Sequence, residues 1–255
     1  MDKASRPHRH SYFQLIWFKS PGQHYIDYEV VEHPAHTCFM INKHQVHYFC
    51  PQSANEGYLF HFNDIFVVQH APKLLERISM SVFSEMLSNH LMLDETQVTR
   101  MDTLTRMIIE ETRARSPLYG EATFHLFATL LIGLERQLQT QGKSGLMNES
   151  FVLAARFKKL VIEHIDQFWS VEEIARQLNT NSKALSKATK EALSQTPGKI
   201  VAQLKILEAK RKLSNPTLSI KAIGRELGFD QATYFTKYFK KETGLTPKEF
   251  QQSLP

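Results

Sequence analysis

SIKAIGRELGFDQATYFTKYFKKETGLTPKEF, residues 219–250, decides how this 255-residue chain is read. Ser219 offers an N-cap hydroxyl, and Ile220, Ile223 and Leu227 recur at three and four residues, which makes one apolar helix face. Gly228 follows where the chain must leave that helix through a left-handed conformation, which glycine adopts at least cost. Asp230 is then placed to cap a second helix. Phe235 and Phe239 face the first helix, while Gln231, Ala232, Thr233, Thr236, Lys237, Lys240 and Lys241 lie on the other side. Gly244 ends it. A helix that buries one face and offers amides, hydroxyls and lysines on the other suits a DNA major groove. An ordinary helical hairpin with a solvated basic face has the same pattern.

Upstream the pattern repeats. Ile174, Ala175 and Leu178 match Ile223, Gly224 and Leu227 at a constant offset of 49 residues, with Ser170 as the cap. Asn179 falls where Gly228 falls, and asparagine is the non-glycine residue that best tolerates the left-handed turn. Asn181 caps a helix to about Leu193 that turns Ser182, Lys183, Ser186, Lys187 and Lys190 outward and Leu185 inward. Between the copies, Pro197-Gly198 opens a helix from about Lys199 to Ser214, ended by Asn215-Pro216. Sixteen residues span about 24 Å. A spacer of that length suits two recognition helices placed on one face of a duplex, roughly 34 Å apart. A further helix, Phe151 to Asp166, precedes the first copy.

The run Ile220, Ile223, Leu227-Gly228-Phe229, Asp230, Tyr234-Phe235, Phe239-Lys240-Lys241, Gly244, Thr246-Pro247 resembles the C-terminal signature of AraC/XylS-type transcription regulators. Gly224 departs from it, standing where the family usually has a small alanine. In the first copy Ala188-Thr189 and Ser194 depart further. The resemblance implies a double helix-turn-helix DNA-binding domain over 151–255 and a regulator, an activator in many relatives, that contacts RNA polymerase. It also implies a homodimer, an N-terminal cupin-like domain that holds a small-molecule effector, and no catalysis or cofactor.

Charge divides the chain in the same sense. Residues 1–145 carry 13 Lys+Arg against 15 Asp+Glu, and residues 146–255 carry 18 against 11. Phosphate binding is therefore expected of the second half. Eleven of the twelve histidines lie in the first half, so histidine-dependent chemistry belongs there. No run of about 18 apolar residues exists, and MDKASRPHRH lacks the apolar segment of a signal peptide; a cytoplasmic protein without a membrane partner is expected. Cys38 and Cys50 lack metal-pair spacing and read as buried thiols.

The N-terminal half reads as strands over Tyr12 to Lys19, His24 to Val31, Cys38 to Asn42, Val46 to Phe49 and Tyr58 to Phe62. Such spacing predicts a small sandwich or barrel, and the resemblance favours a cupin-like barrel. His8, His10 and His47 admit three readings: effector-pocket groups, structural histidines, or ligands of a metal-dependent cupin enzyme. No carboxylate stands three or four residues after His10, where such enzymes place one. With Trp17, His24, Phe49, Phe60 and Phe62 these histidines are the candidate effector residues, and no metal is assigned. Similar N-terminal regions, with a Gly-Gln-His turn, often answer to small aromatic acids, which points to an aromatic carboxylate.

Three helical stripes follow: Leu74, Ile78, Val82 and Met86; Val98, Met101, Thr105, Ile108 and Thr112; Phe124, Phe127, Leu131 and Leu134. Val98, Met101, Thr105 and Ile108 are the candidate dimerisation residues. QGKSGLMNES, 141–150, reads as a flexible linker after an effector-binding and dimerisation domain over 1–140. The fold class expected is α+β, a barrel with a helical segment plus an all-α domain.

Overall fold

The computed structural model describes residues 3–43, 45–80, 82–83, 90–140 and 149–254. Two compact units divide the chain, Met1–Leu146 and Met147–Pro255. The linker stretch 141–148 and Met86 lie outside the described residues; Glu149 and Ser150 already belong to a helix.

In the first unit, strands β1 (Phe13–Phe18), β2 (Gly22–Ile26), β3 (Glu29–His33), β4 (Thr37–Ile41), β5 (His47–Phe49), β6 (Gly57–Phe62) and β7 (His90–Met92) are all antiparallel. Among the described residues they form two sheets, ordered β6-β1-β4-β7 and β3-β2-β5, and not one closed barrel. Every residue of β1 is buried. Its alternation explains why: Phe13, Leu15 and Trp17 join a core with helical residues, while Ile16 and Phe18 join Ile26, Phe39 and Ile41. A strand covered on both faces reads as a continuous apolar run.

The expected single strand from His24 to Val31 is a hairpin. Ile26 pairs with Glu29 across Asp27 and Tyr28, whose φ values are 47° and 74°. Two consecutive left-handed residues make the two-residue turn that fits strand twist. Asp27 holds it from the side, its carboxylate accepting from the Val46 amide and the Gln45 side chain.

Helices α1 (Asp64–Val68), α2 (Pro72–Met80), α3 (Glu95–Ala114) and α4 (Tyr119–Thr140) cover the four-stranded sheet. Phe60 and Phe62 meet Phe127 of α4 at 5.7 and 4.9 Å between ring centres. Cys38 and Cys50 are free and buried as expected, and burial pushes the Cys38 thiol up, out of reach of ionisation.

The second unit runs α5 (Glu149–Glu163), α6 (Val171–Gln177), α7 (Ser182–Leu193), α8 (Pro197–Leu213), α9 (Ile220–Glu226), α10 (Ala232–Thr243) and α11 (Pro247–Ser253). Ser170 and Ser219 cap α6 and α9, the first in a full capping box with Glu173. Asn179 and Gly228 both adopt positive φ, 54° and 84°. The copies then diverge by one residue. Asn181 caps α7, but the cap of α10 is Gln231, not Asp230, so the offset becomes 50. The second turn holds an extra residue. From there the longer offset persists, pairing Ser194 with Gly244, both left-handed helix ends, and Thr196-Pro197 with Thr246-Pro247.

Gly224 has a packing reason. A Cβ there would lie 3.1 Å from that of Phe235, tighter than ordinary contact, so the glycine lets α10 seat closely on α9.

Candidate nucleic-acid interface and histidine cluster

The buried sides of α7 and α10 set what their other sides can offer. Leu185, Ala188 and Thr189 are buried on α7, and Phe235 and Phe239 on α10. Lys183, Ser186, Lys187 and Lys190 are therefore exposed, with Ser182 half-buried at the first turn. On α10, Gln231, Thr233, Lys237, Lys240 and Lys241 are exposed, while Ala232 and Thr236 are half-buried. Gln231 makes no cap bond with its side chain, so its amide stays at the surface. All twelve predicted DNA-facing residues thus sit on or beside the two second helices.

Two features refine this surface. Lys187 pairs with Glu191 at 3.8 Å, which offsets part of the first basic face. Tyr234, 59% exposed, projects an aromatic ring among the polar residues of α10. The ring was legible only as a signature residue, because an apolar side chain at helical spacing reads as core.

Helix α8 separates the two motifs with 17 residues, about 26 Å. Lys205 on it is buried, and burial pushes its pKa down to about 8 against the attraction of Asp166.

Residues 174–253 match the family described as "Helix-turn-helix domain". The C-terminal unit carries this helix-turn-helix domain. Among relatives, the transcriptional activator RhaR of Salmonella dublin is 23% identical over 141 residues, covering 55% of this chain and 50% of that protein. The xylose operon regulatory protein of Haemophilus influenzae is 33% identical over 81 residues, 32% of this chain and 21% of that protein. The chain therefore spans half or less of the length of these relatives. Among solved structures, ToxT from Vibrio cholerae is 12% identical, covers 96% of this chain and 91% of that one, and superposes with a TM-score of 0.49. No helix among the described residues is long and apolar enough to cross a membrane.

The N-terminal unit gathers histidines between its two sheets. His47 bonds through Nε2 to His10 Nε2 at 3.0 Å and through Nδ1 to His24 Nε2 at 3.3 Å. The backbones of His8 and His47 exchange two hydrogen bonds. Gln14 links His10, 3.1 Å away, to His61 at 2.7 Å. Phe18, Phe39 and Phe49 wall the same space, each with a ring centre within 5.5 Å of that of His24. Burial, then the neighbouring His33 and His8, lower the His24 pKa to about 3; burial and then His24, His8, His10 and His61 lower that of His47 to about 2.

The candidate effector residues therefore separate. His8, His10, His24, His47 and Phe49 come together, whereas Trp17, Phe60 and Phe62 lie on the opposite face of the sheet, in the core shared with the helices. Period-two alternation, applied strand by strand, distinguishes the two sets. Gln14, His33 and His61 belong to the cluster and were not singled out. Among the described residues no group of three or more His, Cys, Asp or Glu is arranged to hold a metal ion.

The candidate dimerisation residues point inward. Met101, Thr105 and Ile108 are buried, and Val98 packs on the same core, so their surface is covered within the unit. The exposed side of α3 carries Arg100, Thr103, Arg106, Met107 and Glu110 instead. The apolar stripe was visible in the sequence; what covers it was not.

Proposed function

We propose that this chain is a sequence-specific DNA-binding transcription regulator whose AraC/XylS-type domain places α7 and α10 in successive major-groove segments. The observation that carries this reading is the repeated motif, each copy ending in a helix with an exposed basic face. Lys183, Ser186, Lys187, Gln231, Thr233 and Lys237 are the base readers, and Lys190, Lys240 and Lys241 hold phosphates. Selection of bound duplexes from a random pool tests it: an enriched sequence is expected, and a pool that stays random overturns it. Lys237→Ala should lower the ratio of specific to non-specific affinity by about 1–3 kcal/mol. Lys240→Ala should weaken binding to all duplexes alike and reduce the salt slope by about one. Swapped outcomes would exchange the two roles.

The N-terminal unit, an opened form of a cupin-like barrel, serves in this reading as the sensor of a small effector. Its support is the buried interior in which His24 Nδ1 and His33 Nε2 have no hydrogen-bond partner among the described residues. His33 Nδ1 donates to the Pro34 carbonyl at 3.1 Å, which leaves its Nε2 an acceptor. A hydroxyl or protonated carboxyl group of a small aromatic acid suits such an atom between phenyl rings. Titration calorimetry with hydroxylated benzoic acids should give heat and a raised melting temperature; neither appearing would exclude this ligand class. Effector action requires that the ligand favour one arrangement of the protein over another. Pairing of two chains and contact with RNA polymerase rest on the family resemblance alone.

A further inference from the structure

Lys205 lies within α8 and is 3% exposed. Its Nζ donates to the carbonyl of Gln167, ahead of α6, and to that of Leu227, in the turn between α9 and α10, each at 3.2 Å. The ammonium stands 3.5 Å from the centre of the Phe168 ring, and Phe168 meets Phe229 edge to face at 5.0 Å. The second turn touches the approach to the first motif again at Gly228, where a Cβ would fall 1.7 Å from the carbonyl oxygen of Asp166.

A buried charge must be compensated by hydrogen bonds or by an opposed charge. The carbonyls and ring that compensate this one come from the approach to the first motif and from the turn of the second, not from α8 itself. The first motif also packs on α8 through Ile200 and Leu204, but apolar packing is non-directional and tolerates small shifts between helices. Directional bonds from one buried ammonium to both sides remove that freedom. We propose that Lys205 is a positioning residue that fixes the relative placement of the two recognition helices and thereby sets the half-site spacing the domain accepts. This inference rests on the DNA-binding reading above.

The test uses the full chain and the site enriched from the random pool, with base pairs inserted or deleted between its two halves. The unmodified protein should show one sharp optimum, with affinity falling about tenfold for a change of one or two base pairs, since the duplex must then be deformed. Lys205→Met should flatten that profile while leaving affinity for a single half-site unchanged. Lys205→Arg, which keeps a charged donor over Phe168, should restore the sharp optimum. A Lys205→Met profile as sharp as the original overturns the inference. So does an equal loss at every spacing and on the single half-site, which marks general damage to the fold. If circular dichroism shows that Lys205→Met does not fold, Phe168→Leu, which removes the ring from beside the ammonium, is read in the same way. A pool that yields no enriched site overturns the DNA-binding reading and this inference with it; an enriched site with an unaltered profile overturns this inference alone.

Discussion

Gly228→Ala should destabilise the C-terminal unit by on the order of 4 kcal/mol, close to the whole stability of a small domain. Two costs combine. The residue has φ +84°, where a Cβ alone costs roughly 1–2 kcal/mol. That Cβ would also fall 1.7 Å from a backbone carbonyl, which no rotamer change relieves. Gly244 is the internal control, since its φ is +81° and, among the described residues, nothing lies within 4 Å of its Cβ position. Gly244→Ala should therefore show only the conformational cost. Chemical denaturation of both variants checks the claim; equal destabilisation would mean that the turn does not press against Asp166 in solution.

Acidification should unfold the N-terminal unit before the C-terminal one. In the unfolded chain His24 and His47 take up protons below about pH 6.5, whereas in the folded unit they stay neutral until about 3 and about 2. The unfolded state thus binds more protons throughout that window, and stability falls as pH falls, by about 1.4 kcal/mol per pH unit for each group. Above pH 6.5 neither histidine contributes a slope. The two tryptophans make the measurement direct, because Trp17 lies in the first unit and Trp169 in the second. With Trp169→Phe, fluorescence reports Trp17 alone, and its transition should shift steeply between pH 7 and pH 5. His47→Gln should flatten that dependence, and an unchanged slope would show that His47 is not held neutral.

The C-terminal unit was the more legible half. Helices α6, α7, α8, α9 and α11 each open on a Ser, Thr or Asn cap, and Asn179, Gly228 and Gly244 take positive φ as their residue types favour, with Ser194 doing so as well, so local chemistry and global fold largely agree. The exception is Asp230. It would cap α10 if the second turn were as short as the first, and only the three-dimensional count of turn residues moves the cap to Gln231. In the N-terminal half, Asp27 and Tyr28 make a tight hairpin without glycine, so the sequence runs through it as one strand. The helix α1 and strand β7 are too short to set up a period. Buried lysine was illegible for a different reason. Lys205 looks like any solvated charge on a helix until the loops that surround it are in place.

The unequal turns have one more consequence. The residue corresponding to Thr180 is Phe229, which packs on Phe168, Phe235 and Tyr238, and the extra Asp230 stands exposed beside it. The two motifs are therefore not interchangeable, and exchanging their order along the chain would leave that aromatic contact unmade. An object built this way has a head and a tail. Whatever duplex it lies along acquires a direction from it, so that turning the site end for end gives a different complex and not the same one viewed from behind.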